Sequence, residues 1–374
     1  MRQARLPGDR YHRRVDFDLS DDQLELRKGA AALLDAMAAP ARVRLVADGP
    51  EHVDAELWSA MADQGWTAVE APPEVGGLGL GAVEAAVLCE EIGRHVAPVP
   101  FTGTLLAAGA LRRAGQWDSW AGRLESGEAI GALGWSDSDD ALSATPDGDR
   151  WLISGRTGPF VFAPSADVVV ISAATVQGQA LFAVAGAKAE PEPAMDRTRA
   201  VGRCVFDQEP ALRLGGPEAL QAVIDRAAVA VCAEMLGAAD QVLAMTVAYA
   251  KDRVQFGRAI GSFQAVKHRC ADMLVDVEGM RSVTYYGAWA VGAGDPDASA
   301  AASAAKVWCS DASRRVMGSA LQVHGGIGFT WEHDLHLFLK RAQLDQVSYG
   351  DATFHRERLA DMLRPRAEAG LPVF

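Results

Sequence analysis

A group of basic, aromatic and amide side chains lies where one helical pattern stops and the next begins. The stretch AYAKDRVQFGRAIGSFQAVKHRCADM occupies residues 248–273, breaks at Phe256-Gly257, and predicts a second helix after Ser262. Arg253 therefore lies at a helix C-terminus and faces a loop that could receive a phosphate. The structural alternative is a solvated arginine beside aromatic core residues, because charged side chains are mostly exposed and aromatic ones mostly packed.

A glycine-rich turn after a later helix could hold the same kind of ligand. It lies in ALQVHGGIGFTWEHDLHLFLKRA, residues 320–342. Glycines such as Gly325 and Gly326 let backbone N–H groups approach an anion closely, and Gln322 could hydrogen-bond to a pyrophosphate or a base. A plain glycine cap at the end of the helix is the alternative interpretation.

Three successive patterns must position these residues. Residues 15–128 have apolar positions at helical spacing, beginning behind a Ser20 cap. Residues 129–212 carry short alternating runs broken by Asp, Gly and Pro, as expected of antiparallel strands in a sandwich or barrel. Residues 213–374 return to long helices that predict a four-helix bundle. The expected fold is thus α+β, with residues 1–14 as a disordered tail.

Composition excludes several classes of function. The chain has 374 residues, with 36 Lys and Arg against 49 Asp and Glu, so its formal charge of −13 disfavours nucleic-acid binding. Five scattered cysteines form no CxxC pair and indicate neither a metal site nor a disulfide framework. Since no apolar run approaches the ~20 residues of a membrane span, we expect a cytoplasmic protein without a membrane partner.

The two ligand-binding stretches together resemble the flavin-binding motifs of the acyl-CoA dehydrogenase family. Their order matches the family pattern RxxFG…FQ followed by QxxGGxG. The resemblance extends to LWSAMADQGWTAVEAPPEVGGLGLG and CEEIGRHVAPVPF near the N-terminus, and so covers nearly the whole chain from Val15. It also accounts for the order of the helical, β and helical patterns, and it implies that FAD is held between the β domain and the C-terminal bundle.

Carried over to this sequence, the resemblance implies a set of FAD ligands. Arg253 would bind the FAD pyrophosphate, with Phe256 near the adenine end and Gln264 assisting. Residues that would contact the same diphosphate and adenosine across a subunit boundary are Gln322, Gly325 and Gly326. The resemblance therefore implies a dimer at least, and a tetramer more readily.

The position of the family's catalytic base holds no carboxylate. Dehydrogenation of an acyl thioester needs a carboxylate to remove the α proton, and in most members this is the Glu of a YEGT-like motif. Here the corresponding text is SYGDATFHRERLA, with Gly350 at the expected Glu and Asp351 one residue later. Asp351 is therefore the first candidate base.

Two further carboxylates lie on the first helix of the C-terminal domain, where some members carry the base. Asp225 precedes an arginine but lies two residues before the usual position, which holds Ala227. Glu234 follows on the same helix and could instead pair with a core arginine. All three carboxylates remain candidates.

The β domain also departs from the family pattern. Members have a TEPxAGSD-like stretch and a WITN-like strand that contact the flavin ring, whereas this chain reads LGWSDSDDALSAT and GRTGPFVFAPSAD. Ser136 or Ser138 could replace one contact, and Phe160 or Phe162 could form a reduced aromatic wall.

Intact pyrophosphate motifs beside a degenerate reaction site resemble one chain of the actinobacterial α2β2 acyl-CoA dehydrogenases, several of which act on steroid side-chain CoA thioesters. The resemblance implies an FAD-dependent subunit that converts an acyl-CoA to its trans-2-enoyl form and passes electrons to an electron-transfer flavoprotein. The alternatives are a non-catalytic partner subunit and a flavin oxidase or monooxygenase of the same fold.

Overall fold

The computed structural model describes residues 18–50, 53–115, 118–135, 142–148 and 150–371. The expected tail at residues 1–14 lies outside the described residues, as do Ser136 and Ser138.

Helices make up the N-terminal part of the chain. They are α1 (Asp21–Met37), α2 (Pro40–Asp48), α3 (Ala55–Asp63), α4 (Ala82–His95), α5 (Phe101–Ala114) and α6 (Asp118–Glu125). Helix α1 begins behind a capping box, in which the Ser20 hydroxyl accepts from the Gln23 backbone N–H and the Gln23 side chain accepts from Ser20 N–H. Helix α4 is the most buried of those before α5 and forms one wall of the core shared with the C-terminal helices.

The middle of the chain forms a mixed sheet. Its strands are β1 (Gly131–Gly134), β2 (Leu142–Asp147), β3 (Arg150–Arg156), β4 (Phe160–Val161), β5 (Val168–Thr175), β6 (Gly178–Ala185), β7 (Ala189–Glu192) and β8 (Val201–Gly215). Most pairs are antiparallel as predicted, but β1 and β2 each pair with β5 in parallel. The wholly antiparallel sheet predicted from the sequence is corrected in this respect, because short alternating runs carry no information on strand direction.

Long helices follow the sheet. They are α7 (Pro217–Asp252), α8 (Gln264–Ala293), α9 (Ala298–His324), α10 (Leu335–Val347) and α11 (Ala352–Glu368), with a small hairpin of β9 (Val254–Gln255) and β10 (Arg258–Ala259) after α7. Helices α7, α8 and α9 pack on one another, α10 packs on α7 and α9, and α11 packs on α9. Helix α7 is long and apolar enough to cross a membrane, but 72% of its most apolar window is buried in the fold. It is thus the core helix of the bundle, and the predicted helix–β–helix fold is confirmed.

Two glycines allow the N-terminal helices to approach the bundle. A Cβ at Gly93 on α4 would overlap the Glu234 carbonyl on α7, and one at Gly237 on α7 would overlap the Glu90 carbonyl on α4. The two backbones therefore touch where the helices cross.

Candidate functional site

The first predicted ligand stretch is an exposed turn at the end of α7. Helix α7 ends at Asp252, and Arg253 is its C-cap residue with an exposed side chain. The following hairpin turns at Phe256 and Gly257, which have φ values of 54° and 77°. Phe256 is 92% exposed, so the alternative of a core aromatic is wrong at this position. A non-glycine residue held at positive φ with its ring in solvent is a costly arrangement that points to a ligand or a partner.

The second stretch forms the exposed end of α9. Helix α9 ends at His324, and Gly325 adopts a φ of 61° as its cap before a short 3-10 helix. Gln322, Gly325 and Gly326 are exposed. A Cβ at either glycine would meet nothing within 4 Å, so this turn leaves open space in which a ligand can approach the backbone.

An aromatic stack joins the roots of these two turns. Tyr249 on α7 stacks on His324 with ring centroids 4.5 Å apart, and His333 lies 4.6 Å from His324. The His324 Nδ1–H faces the Ala320 carbonyl at 2.8 Å, which leaves Nε2 as an acceptor. Among the described residues, this buried Nε2 has no hydrogen-bond partner. The stack places both turns at one end of the bundle, and the sequence offered no signal for it beyond the residue types.

These features fit the diphosphate and adenosine end of a dinucleotide. The exposed Arg253 guanidinium supplies positive charge, the Gly325 and Gly326 turn exposes its backbone, and Phe256 offers an aromatic face. Gln264 begins α8 and its side-chain amide contacts His268 at 2.8 Å, still exposed to solvent. FAD could be held here through its pyrophosphate.

Neighbouring side chains occupy the space beside the position of the family base. Tyr349 and Gly350 have φ values of 56° and 91°. A Cβ at Gly350 would lie 3.0 Å from His355 Nε2 and closer still to the Phe354 ring. The Gly350 carbonyl also accepts from the buried Lys306 ammonium at 2.6 Å. This turn therefore favours glycine, since the expected glutamate would force Phe354 and His355 to shift.

Asp351 caps a helix. Its carboxylate accepts the backbone N–H of Phe354 at 2.8 Å, and it is the N-cap residue of α11. Such a carboxylate stabilises a helix terminus by satisfying an otherwise unpaired donor. Asp351 is thus fully accounted for by the local structure.

Asp225 ties three helices together. Its side chain lies on α7 and is 5% exposed. It accepts from Arg358 of α11 at 2.5 Å and from the Ser299 hydroxyl of α9 at 2.6 Å. A carboxylate that is bound to an arginine and a hydroxyl of two other helices connects those helices and is not available as a base.

Glu234 belongs to a buried ion network. It accepts from the Thr102 hydroxyl at 2.5 Å and pairs with Arg199, while Arg341 lies 3.5 Å away. Only 1% of Glu234 is exposed. The alternative that this carboxylate pairs with a core arginine is the arrangement found.

A further carboxyl of this network, Asp345, has the pKa of a general base but no access to a substrate. Burial raises the pKa of Asp345 to about 7, against the opposing charge of Arg199 at 2.7 Å. Asp345 is completely enclosed. Because a base must reach the proton that it removes, Asp345 is a structural member of the network. Sequence reasoning missed it, since only the tertiary contacts identify its surroundings.

One position at which the family carries its base, Ala227, and the residue before the other, Tyr349, meet in one apolar cluster. Ala227 and Tyr349 are both buried and pack with Leu106, Val223 and Val231. The Tyr349 hydroxyl is buried without a partner among the described residues. No side chain of this group can accept a proton as a carboxylate does.

The aromatic wall expected for a flavin ring is packed into the β domain. Phe160 and Phe162 are 8% and 3% exposed, and Phe160 covers Gly134, where a Cβ would lie 2.9 Å from its ring. A different aromatic pair lies nearby, with the Trp135 and Phe354 ring centroids 5.0 Å apart. Phe354 also covers Gly350, the expected position of the base. These residues therefore do not provide a carboxylate base beside a flavin ring.

Comparison with known proteins gives two matches to family models. The model described as acyl-CoA dehydrogenase, N-terminal domain, matches residues 20–119, and the model for acyl-CoA dehydrogenase, C-terminal domain, matches residues 215–363. The acyl-CoA dehydrogenase IpdE2 of Mycolicibacterium smegmatis is 35% identical over 325 residues, which cover 87% of this chain and 93% of that protein.

Two solved heteromeric structures are also similar. The ChsE4-ChsE5 complex from Mycobacterium tuberculosis contains a chain that matches with a TM-score of 0.88 and 29% identity, covering 94% of this chain and 99% of that one. The Tcur3481-Tcur3483 steroid ACAD contains a chain with a TM-score of 0.87 and 31% identity, covering 93% of this chain and 99% of that one.

Proposed function

Because this chain belongs to the acyl-CoA dehydrogenase family, we propose that it is one subunit of an FAD-dependent acyl-CoA dehydrogenase whose catalytic base comes from a second chain. The reaction is α,β-dehydrogenation of an acyl-CoA to its trans-2-enoyl form. FAD, when bound, supplies the acceptor for the hydride from the β carbon. The electrons pass on to an electron-transfer flavoprotein. The family resemblance expected from the motifs is confirmed.

The closed turn at Gly350 carries this proposal. No carboxylate stands there, and a side chain would displace Phe354 and His355. The carboxylates that could replace the missing glutamate are each committed to other contacts, as a helix cap at Asp351, an interhelical connection at Asp225 and a buried ion pair at Glu234. The α proton must then be removed by a carboxylate of another chain.

The end of the bundle supports a role for this chain in holding FAD. Arg253 and Phe256 on one turn, and Gln322 with Gly325 and Gly326 on the other, are exposed and lie at the same end of α7 and α9. We propose that Arg253 binds the pyrophosphate, with Gln264 assisting, and that the α9 turn contacts a flavin shared with a neighbouring subunit. An α2β2 assembly with a second acyl-CoA dehydrogenase chain would complete the site.

Similar proteins indicate which substrate to test first. One of the similar structures is described as a steroid ACAD, and another is a complex of two named chains. A CoA thioester with a steroid-derived acyl group is therefore the first choice of substrate, with a fatty acyl-CoA as the comparison.

Substitution of the three carboxylates tests where the base resides. The chain is purified alone and with a co-expressed second acyl-CoA dehydrogenase chain, and acyl-CoA oxidation is followed with ferrocenium as the acceptor. We expect activity only in the complex. In the complex, folded Asp225→Asn, Glu234→Gln and Asp351→Asn variants should keep an activity within ~3-fold of wild type. Loss of a general base costs about 10²–10⁴-fold. Turnover by the chain alone, or such a loss in one folded variant, would contradict the proposal.

A further inference from the structure

A separate cavity lies between the N-terminal helices and the opposite side of α7. Its volume is about 380 Å³, within the range of small-molecule sites. Its walls come from the segment before α4, the C-terminal half of α5 and the first third of α7. Ala227 faces the Tyr349 cluster, whereas Arg226, about 100° around the helix, lines this cavity. The cavity is therefore distinct from the position of the family's base.

Charged side chains surround an apolar floor in this cavity. Leu105, Ala108 and Ala82 contribute apolar surface. Arg112 is held by Glu125, with Nε 2.8 Å from Oε1, and Glu125 is almost buried. This first pair is electrically neutral and fixed in place.

In a second ion pair the glutamate is paired, whereas the arginine keeps one donor without an acceptor. Arg226 pairs with Glu70, and both side chains are 16% exposed. Within the described part of the chain, the buried Nε of Arg226 donates to no atom. One arginine of the cavity lining thus has an enclosed donor without an acceptor, which is costly for a buried group.

Arg113 brings a further positive charge at the exposed rim of the cavity, where the charge of Glu70 acts against that of Arg226. Its Nη2 lies 3.8 Å from where a Cβ at Gly109 would be, so the guanidinium folds back over Gly109, which lines the cavity. Among the described residues, Arg113 takes part in no hydrogen bond or ion pair. Desolvation and the nearby Arg226 charge lower the pKa of Arg113 to about 10, against the opposing charge of Glu70. Two arginines therefore line one cavity, and an anion between them would relieve their repulsion.

We propose that this cavity binds a small organic carboxylate with a short hydrocarbon body. The carboxylate would lie between Arg113 and Arg226, because planar guanidinium groups pair well with planar carboxylates. The hydrocarbon body would rest on Leu105 and Ala108. Bound there, the ligand connects α4 and α5 to α7 and so stabilises the contact between the N-terminal helices and the bundle. The inference does not rest on the proposed dehydrogenase role, since neither FAD nor a base takes part.

Calorimetric titration of the full chain with hexanoate tests the site. We expect saturable binding of hexanoate, and binding at least ~10-fold weaker for the neutral analogue hexanamide and for inorganic phosphate, since one lacks the charge and the other the apolar body. Arg113→Gln should weaken hexanoate binding at least ~10-fold, and Gly109→Leu should block it by filling the cavity. Arg123→Gln is the matched control, because Arg123 pairs with Glu128 on the surface of α6 and lies outside the cavity.

Several outcomes would overturn the assignment. These are no binding of hexanoate, equal binding of hexanamide or phosphate, or unchanged binding in both cavity variants. Thermal melts of each variant establish that it is folded before titration. If Gly109→Leu does not fold, the comparison of Arg113→Gln with Arg123→Gln decides the question alone.

Discussion

At the scale of single residues, Gly350 separates this chain from a complete dehydrogenase. Replacing it with alanine should lower the free energy of unfolding by about 1–3 kcal/mol, because the residue has a φ of 91° and its Cβ would meet Phe354 and His355. Denaturant unfolding measures the change. Gly29→Ala on α1 is the control, since its Cβ would meet nothing within 4 Å. Equal stability of Gly350→Ala and wild type would show that the turn tolerates a side chain.

His355 should make the stability of the chain depend on pH. Its Nε2–H donates to the Tyr349 carbonyl at 2.9 Å, and its Nδ1 accepts from the Ser303 hydroxyl at 3.2 Å. Burial lowers the pKa of His355 from 6.5 to about 4, and the charges of Lys306 and Arg358 act in the same direction. The unfolded chain therefore takes up this proton first as the pH falls.

The stabilising contribution of neutral His355 is complete above about pH 6.5 and is lost as the pH falls towards 4. The loss should approach about 3 kcal/mol. Denaturant unfolding of wild type and His355→Gln between pH 4 and 8 isolates it, because other titrating groups contribute equally to both. Parallel stability curves for the two proteins would exclude a buried neutral histidine.

At the scale of elements, substitutions of Asp351 at the start of α11 distinguish a helix cap from a catalytic base. Asp351→Ala should lower the free energy of unfolding by about 1 kcal/mol, because the Phe354 N–H loses its acceptor. Asp351→Asn should keep most of that stability, since asparagine caps helices about as well. Hydrogen exchange of the first turn of α11 provides the measurement. Faster exchange in both variants alike would argue against the capping role.

Helices and turns were predictable because their signals are local. The Ser20 cap, the break at Phe256-Gly257 and the glycine turn after α9 each depend on neighbouring residues, and each is found in the structure. Strand direction was not predictable, because the parallel pairing of β1 with β5 depends on chain segments 37 residues apart between Gly131 and Val168. Likewise, the ion network around Glu234 joins residues from four separate segments, for which sequence spacing gives no guide.

At the scale of the whole molecule, exposed aromatic side chains mark a surface that an assembly would cover. Phe256, Phe329 and Trp331 are 92%, 74% and 67% exposed, and apolar groups of this kind are typical of protein interfaces. We propose that this surface, the bundle-end aromatic surface, contacts the neighbouring subunit. The proposal agrees with an FAD site completed across a subunit boundary.

Trp331→Arg should therefore weaken the assembly by at least ~10-fold in dissociation constant, because an aromatic side chain that the assembly buries is replaced by a charge that the assembly must desolvate. Sedimentation equilibrium of the complex measures it. Val176→Arg is the control, since Val176 is 99% exposed at the turn between β5 and β6. An unchanged dissociation constant in Trp331→Arg would place the interface elsewhere.

The decisive measurement for the proposed subunit role is the visible absorption spectrum of the chain, alone and co-purified with a second acyl-CoA dehydrogenase chain. We expect flavin bands only in the co-purified sample, and we expect an acyl-CoA to bleach them. Arg253→Gln should lower flavin affinity at least ~10-fold, because it removes a charge-assisted contact to the diphosphate. The matched variant Arg314→Gln, exposed elsewhere on α9, should keep its flavin. A yellow lone chain that an acyl-CoA bleaches would contradict the proposed subunit role, since this chain would then hold both the flavin and a base.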